Sequence, residues 1–296
     1  MKLASIDLDG PVHYADFGGS GPPVVLIHGL GGSHLNWASV APLLRKRRRV
    51  LAVDLPGFGL SPPLKTGTTF EGTQDRLERF LEQVVGEPAV VMGNSMGGLL
   101  SMLVTAHRPE LVEQLVLVGP AQPVPSRREL DPITVATFFT YAMPGLGDFF
   151  VNRASHRLGP EGLVKLLLSR CCVDPSRVEQ EVIRQHVELV TRRAAEMPWV
   201  NREFLRAARY LVRMVLLHPE ILHEAARRIR VPTLIIHGRH DLLVPVAASI
   251  ELVKRLPHFH LSIMEDAGHT PQLEHPRKLV EIYTDWAEAL ALRATA

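Results

Sequence analysis

Cysteine is scarce in this sequence, and its scarcity excludes two kinds of scaffold. Among 296 residues only Cys171 and Cys172 occur, side by side. Neighbouring cysteines rarely reach the geometry of a relaxed disulfide, and no Cys/His spacing here suits a zinc site. His237, His240, His258, His260 and His275 likewise lack the spacing of a ligand set, so neither a metal nor a cofactor is expected. Long apolar runs are missing as well: nothing approaches the roughly 18 residues that span a bilayer. The opening Met1–Asp9 already carries acids and has no long apolar core, so no targeting peptide is expected there. Charge of one sign is not in excess either. The 33 Lys and Arg against 31 Asp and Glu leave +2, which argues against a nucleic-acid partner. What remains is a globular chain of ordinary composition, 46% hydrophobic and 22% charged, expected in a reducing, cytoplasmic setting.

What is present is an alternation of apolar runs and helical periodicity. Residues 11–16 read as an early, partly exposed strand, and Gly18 to Pro23 as a turn. Val24–Ile27 is a buried strand running into His28-Gly29-Leu30-Gly31-Gly32, after which Ser33 or Asn36 can cap a helix through Leu44. A second strand, Val50–Val53, ends at Asp54 and a Gly/Pro-rich loop. Thr73–Val85 places Leu77, Phe80, Leu81 and Val84 at helical spacing. Strands follow at Ala89–Met92 and Leu115–Val118, then at 233–238 and 260–264, with helices over 246–256 and 275–292. Strands that are continuous apolar runs, alternating with helices, predict a parallel sheet covered on both faces. Catalytic groups in such sheets lie at the carboxyl ends of strands, where His28, Asp54 and Ser95 fall.

From about Gly119 to Arg230 no convincing strand appears. The stretch reads instead as helices broken by Pro132, Pro144, Pro160, Pro175, Pro198 and Pro219, and it holds more Lys and Arg than Asp and Glu. The chain therefore divides into a core of residues 1–119 and 231–296 and a helical cap over 120–230.

One stretch carries chemistry. Gly93-Asn94-Ser95-Met96-Gly97 sits between a buried-type strand and a helix, and Gly-x-Ser-x-Gly in that context makes a sharp turn that lifts the serine above the sheet. The helix that follows aims its N-terminal dipole at developing negative charge. A serine hydroxyl is a poor nucleophile until a base takes its proton, and a histidine base needs a carboxylate to fix its tautomer. Gly238-Arg239-His240-Asp241 puts an acid just past one strand, and Gly268-His269 a histidine just past the next. Each has a duller reading, Asp241 as a turn residue and His269 as a loop histidine among 14 in the chain.

Taken together, these motifs and the order Ser95, Asp241, His269 resemble the α/β-hydrolase superfamily over nearly the whole chain, most weakly across 120–230. The resemblance implies an α/β-hydrolase fold, a mostly parallel sheet flanked by helices with the cap inserted before the acid-bearing strand. It implies Ser95 as nucleophile, His269 as general base and then acid, and Asp241 as the acid that orients it. The backbone N–H groups of Leu30 and Met96 would form the oxyanion hole, each donor of this kind being worth about 3 kcal/mol of transition-state stabilisation. His28, Gly29, Gly93, Asn94 and Gly97 would support the site.

A serine nucleophile in this superfamily implies cleavage of esters, thioesters, amides or carbon–carbon bonds rather than dehalogenation or epoxide opening. Of the large apolar residues of the cap, among them Phe138, Tyr141, Phe149, Trp199 and Phe204, most are expected to form the cap's own core, since helices must bury a face. The remainder are expected to line a pocket that favours an apolar acyl or aromatic substrate. Cap arginines are suited to solvated faces, an anionic group or peripheral contact with lipid. Gly-Asn-Ser-Met-Gly-Gly is also the spelling of many carbon–carbon hydrolases of aromatic catabolism. Those enzymes usually carry Gly-Pro-Gly after the oxyanion histidine and an aromatic residue after the catalytic one. Here these positions read Gly29-Leu30-Gly31-Gly32 and Thr270-Pro271, so a small-molecule carboxylic ester is the favoured substrate. A ligand-binding protein that turns over slowly is the alternative from outside the enzymes.

Overall fold

The computed structural model describes residues 1–65 and 67–294. Eight strands form one sheet in the order β1-β2-β4-β3-β5-β6-β7-β8. They are β1 (Lys2–Asp7), β2 (Pro11–Gly18), β3 (Pro23–Ile27), β4 (Arg49–Val53), β5 (Ala89–Asn94), β6 (Val112–Val118), β7 (Thr233–Gly238) and β8 (Phe259–Met264). β1 and β2 pair antiparallel with their neighbours, and from β4 to β8 every pairing is parallel. The helices are α1 (Ala41–Leu44), α2 (Phe70–Phe80), α3 (Met96–His107), α4 (Pro132–Ala142), α5 (Leu146–Cys171), α6 (Gln180–Glu196), α7 (Val200–Val212), α8 (Pro219–Arg228), α9 (Val246–Arg255), α10 (Pro271–Glu274) and α11 (Pro276–Ala294).

Continuous apolar strands arise because both faces of the sheet are covered. Val25, Ile27, Leu51, Val53, Val91, Leu115, Leu117 and Ile235 pack on one side with α2, α3 and α8. Their sequence neighbours Val24, Leu26, Val50, Ala52, Val90, Met92, Val116, Val118, Leu234 and Ile236 pack on the other with α1 and α11. Successive side chains of a strand point to opposite faces, so each residue of such a run must be apolar. β1 escaped the sequence reading for the opposite reason: its edge position leaves its residues exposed or only half-buried.

Helix boundaries moved where local capping outweighs apolar spacing. The helix expected from Thr73 begins at Phe70, because the Thr69 hydroxyl accepts from the Gly72 N–H. It ends in a π turn over Leu81–Val85, stopped by Gly86 in the left-handed region. Ser33 and Asn36 together form a capping box, but for a single 3₁₀ turn (His34–Trp37) ahead of the short α1.

Among the described residues no strand lies between β6 and β7, which are joined by α4 to α8. α5 is two helical segments, divided at Gly159 (φ 62°) and Pro160. The end of this excursion belongs with the sheet: Leu222 and Ala226 of α8, and Ile229 after it, are buried in the cluster that contains β6 and β7.

Candidate active site

Ser95 stands at the carboxyl end of β5 and at the head of α3, with φ 55° and ψ −119°. Only Asp9 shares a positive φ among the described non-glycine residues. A side chain rarely accepts such a backbone unless its surroundings fix it, and they do. The Ser95 N–H donates to the Val118 carbonyl at 3.0 Å, and its carbonyl accepts from Ala121 and Leu99. The motif glycines are required by close approach. A Cβ at Gly93 would lie 2.5 Å from the Gly97 carbonyl oxygen, and one at Gly97 would lie 2.5 Å from the carbonyl oxygens of Ile27 and His28. Gly29 lies beside the serine, and a Cβ there would come within 3.0 Å of Ser95 Cβ.

Asp241 and His269 are brought together by the ends of β7 and β8. His269 Nδ1 lies 2.7 Å from Asp241 Oδ2. A carboxylate oxygen only accepts, so Nδ1 carries the proton and Nε2 is the basic nitrogen. The other carboxylate oxygen, Oδ1, accepts from the N–H groups of Leu243 and Val244 at 2.8 and 2.9 Å. Burial by itself would push the Asp241 carboxyl up; the His269 and His237 rings oppose it, and the net direction is well below the usual carboxylate range. Among the described residues Ser95 Oγ makes no hydrogen bond to His269, but the two loops are tied. Asn94 Nδ2 donates both to the Val118 carbonyl at 2.9 Å and to the His269 carbonyl at 3.1 Å. Ser95, Asp241 and His269 are all buried.

The two backbone N–H groups expected to receive an oxyanion are those of Met96 and Leu30. That of Met96 opens α3, where the first amides of a helix have no partner within it. That of Leu30 is aimed by its own peptide unit. His28 Nδ1 donates to the Gly29 carbonyl at 2.7 Å, and Gly32 N–H donates to it at 3.1 Å. Because the peptide is planar and trans, fixing the Gly29 oxygen on one side fixes the Leu30 N–H on the other. His28 Nε2 in turn accepts from Leu55 N–H at 3.0 Å. A ring so enclosed disfavours a second proton, and burial pushes its pKa down to about 4. Asp54 anchors the neighbouring loop, accepting from His34 N–H and Nδ1 and from Leu60 N–H.

Three neighbours of the site were not visible in the motifs. Cys171, at the end of α5, accepts through its carbonyl from the N–H groups of His269 (2.6 Å) and Thr270 (3.2 Å). Glu274 Oε2 accepts from Gly268 N–H at 2.9 Å while its Oε1 accepts from Asp174 N–H at 2.7 Å. His237, which sequence analysis considered only as a metal ligand, places Nε2 3.2 Å from Asp241 Oδ2. Among the described residues no three or more His, Cys, Asp or Glu side chains are grouped to hold a metal ion.

A strained serine at a strand-to-helix turn, a paired histidine and acid at the next strand ends, and a parallel sheet define a class. Residues 22–276 match the family described as the alpha/beta hydrolase fold, and the chain belongs to it, as a hydrolase of that fold. A 2-hydroxy-6-oxo-6-(2'-aminophenyl)hexa-2,4-dienoic acid hydrolase of Metapseudomonas resinovorans is 32% identical, covering 87% of this chain and 81% of its own. A pimeloyl-[acyl-carrier protein] methyl ester esterase of Aeromonas salmonicida is 29% identical, covering 89% and 94%. The solved haloalkane dehalogenase of Bradyrhizobium elkani superimposes with a TM-score of 0.77 over 99% of both chains at 22% identity, a likeness of fold alone.

Proposed function

We propose that this protein is a serine hydrolase of carboxylic esters with an apolar acyl or aromatic group, working through an acyl-enzyme. The observation that carries the reading is Ser95 held at φ 55° next to Asn94, whose side chain is bonded to the His269 carbonyl, with His269 paired to Asp241. Ser95 Oγ attacks the ester carbonyl as His269 Nε2 takes its proton, and the oxyanion is received by the Leu30 and Met96 N–H groups. The tetrahedral intermediate collapses, the leaving alcohol takes the proton from His269, and the acyl group stays on Ser95. Water, deprotonated by the same histidine, then releases the carboxylic acid.

Of residues 120–230, the helices before α8 serve as a cap over this site, while α8 packs on the sheet. Phe204 of α7 stands 3.2 Å from where a Cβ of Gly31 would lie. Its ring meets Tyr141 edge-on at 5.3 Å, and Tyr141 meets Phe138 at 5.9 Å. This aromatic wall above the oxyanion loop supports an apolar substrate. The outer side of the same helices contacts lipid peripherally, and the two free cysteines suit a reducing compartment such as the cytoplasm.

A second reading, hydrolysis of the carbon–carbon bond in ring-cleavage products, is favoured by the 32% identical relative. It is opposed by Leu30-Gly31 and Thr270-Pro271, where such hydrolases usually carry Pro-Gly and an aromatic residue. A panel of p-nitrophenyl esters from acetate to palmitate separates these readings. Wild-type turnover should peak at one chain length, and Ser95→Ala should remove about 10⁴-fold or more of it along with fluorophosphonate labelling. Labelling without ester turnover favours the carbon–carbon reading. Neither turnover nor labelling, with saturable binding of an apolar ligand, favours the binding protein.

A further inference from the structure

The acid of the site receives more hydrogen bonds than its partnership with His269 needs. Oδ1 of Asp241 takes two backbone N–H groups, and Oδ2 takes His269 Nδ1 and also His237 Nε2. A carboxylate offers about four acceptor positions, and all are filled. His237 lies on β7 with no exposed surface. Its Nε2 faces two groups that only accept, Asp241 Oδ2 at 3.2 Å and the Val244 carbonyl at 2.9 Å, so Nε2 carries the ring proton. Its Nδ1 lies 2.8 Å from Ser249 Oγ on α9, and Gln122 Nε2 donates to that hydroxyl at 2.7 Å. The hydroxyl accepts from Gln122 and can give its own hydrogen only to His237 Nδ1. Every donor in the series then points the same way, from Gln122 through Ser249 and His237 to the acid.

We propose that His237 is a positioning residue for the acid, holding the Asp241 oxygen that His269 uses through one directed chain with Ser249 and Gln122. The inference rests on reading Ser95, His269 and Asp241 as the reacting set. A core histidine packed for volume alone would not need this order of donors. The chain also limits how strongly Asp241 binds the imidazolium, because Oδ2 divides its charge between two N–H groups. Its links are buried: Ser249 is inaccessible and Gln122 3% exposed. The groups facing it can be named. Ser249, Gln122 and the Val244 carbonyl are uncharged. Cys171 approaches Asp241 from α5, its thiol kept protonated by burial. Glu274 is bonded to the Gly268 N–H, one residue before His269, and His240 precedes Asp241 on the exposed side.

The test is the pH dependence of Ser95 acylation, measured as the second-order rate of fluorophosphonate labelling and as kcat/KM for the best ester. In His237→Phe, Oδ2 gives its whole charge to His269, which then holds its proton more tightly. The acid limb should move up by about one pH unit, with KM unchanged. Ser249→Ala, which keeps the ring and its volume, should move the limb in the same direction by less. His237→Gln, whose amide N–H can reach Oδ2, should restore most of the wild-type profile. A limb that stays in place in His237→Phe and Ser249→Ala overturns the inference, whatever happens to kcat. Should the Phe variant not fold, Ser249→Ala decides alone. A wild-type protein that does not label at Ser95 overturns the catalytic reading itself, a result distinct from normal labelling with an unmoved limb.

Discussion

His28 shows how a single side chain couples site geometry to stability. Its Nδ1–H donates to the Gly29 carbonyl, which a charged ring could also do, but burial disfavours the charge and Nε2 must stay unprotonated to accept from the Leu55 N–H. With a pKa of about 4 in the folded protein against an ordinary 6.5, the proton binds the unfolded chain first as pH falls. The contribution of the neutral ring is complete above about pH 6.5 and declines from there toward pH 4, by about 3 kcal/mol in all. His186, also lowered by burial, adds to the same trend. Urea unfolding between pH 7.5 and 4.5 should therefore show falling stability over that window and a shallower fall in His28→Asn. An equal slope in the variant would remove His28 as the source. The resemblance already implied a supporting role for His28; which peptide its ring holds was not legible in the sequence, because that rests on peptide orientation.

At the scale of elements, local pattern and tertiary contact divide the information unequally. The parallel strands, the serine turn and the order of acid and histidine were legible because each is written in consecutive residues. The clasp on the histidine loop was not. Cys171 reaches His269 through a backbone carbonyl, which any residue type supplies, across almost a hundred positions. Around it the turn between α5 and α6 grips the loop after β8. Arg177 Nη1 donates to the Asp266 carbonyl at 3.0 Å and to His275 Nε2 at 2.6 Å. Glu274, 2% exposed, accepts from both sides. Glu274→Gln leaves one acceptor for two buried N–H groups and turns an NH₂ toward one of them, costing about 1–3 kcal/mol of stability. If the clasp sets His269, kcat should also fall by about tenfold with KM unchanged. A stability loss without a fall in kcat would make the clasp a fold contact only.

The whole molecule is asymmetric in what it shows to solvent. No helix among the described residues is long and apolar enough to cross a membrane, yet α4, the turn after it and the first half of α5 expose Ile133, Val135, Phe139, Met143, Phe149 and Phe150. Phe139 and Ile133 are 65% and 61% accessible, and large apolar side chains bared close together in sequence mark a candidate contact surface. The inner face of α4 carries Phe138 and Tyr141 into the aromatic wall over the oxyanion loop. One helix thus separates the candidate pocket from the bare surface. The flank is basic. Arg153 and Arg157 repeat at helical spacing beyond Phe149 and Phe150, whereas the one acid between Pro132 and Pro160, Asp148, is paired with Arg209 at 2.9 Å. Two copies meeting on this face would bring like charges together; an anionic lipid surface would meet apolar and basic groups that complement it. The full chain should sediment with phosphatidylcholine vesicles containing phosphatidylglycerol more strongly than with phosphatidylcholine alone. Phe139→Ser with Phe149→Ser should weaken that binding by about tenfold or more, and Arg153→Glu with Arg157→Glu should abolish the preference for anionic lipid. Hydrolysis of a short soluble ester should be unchanged in both pairs. A wild-type dimer in solution that the phenylalanine pair converts to monomer would assign the face to a second copy instead, and lipid contact would be withdrawn.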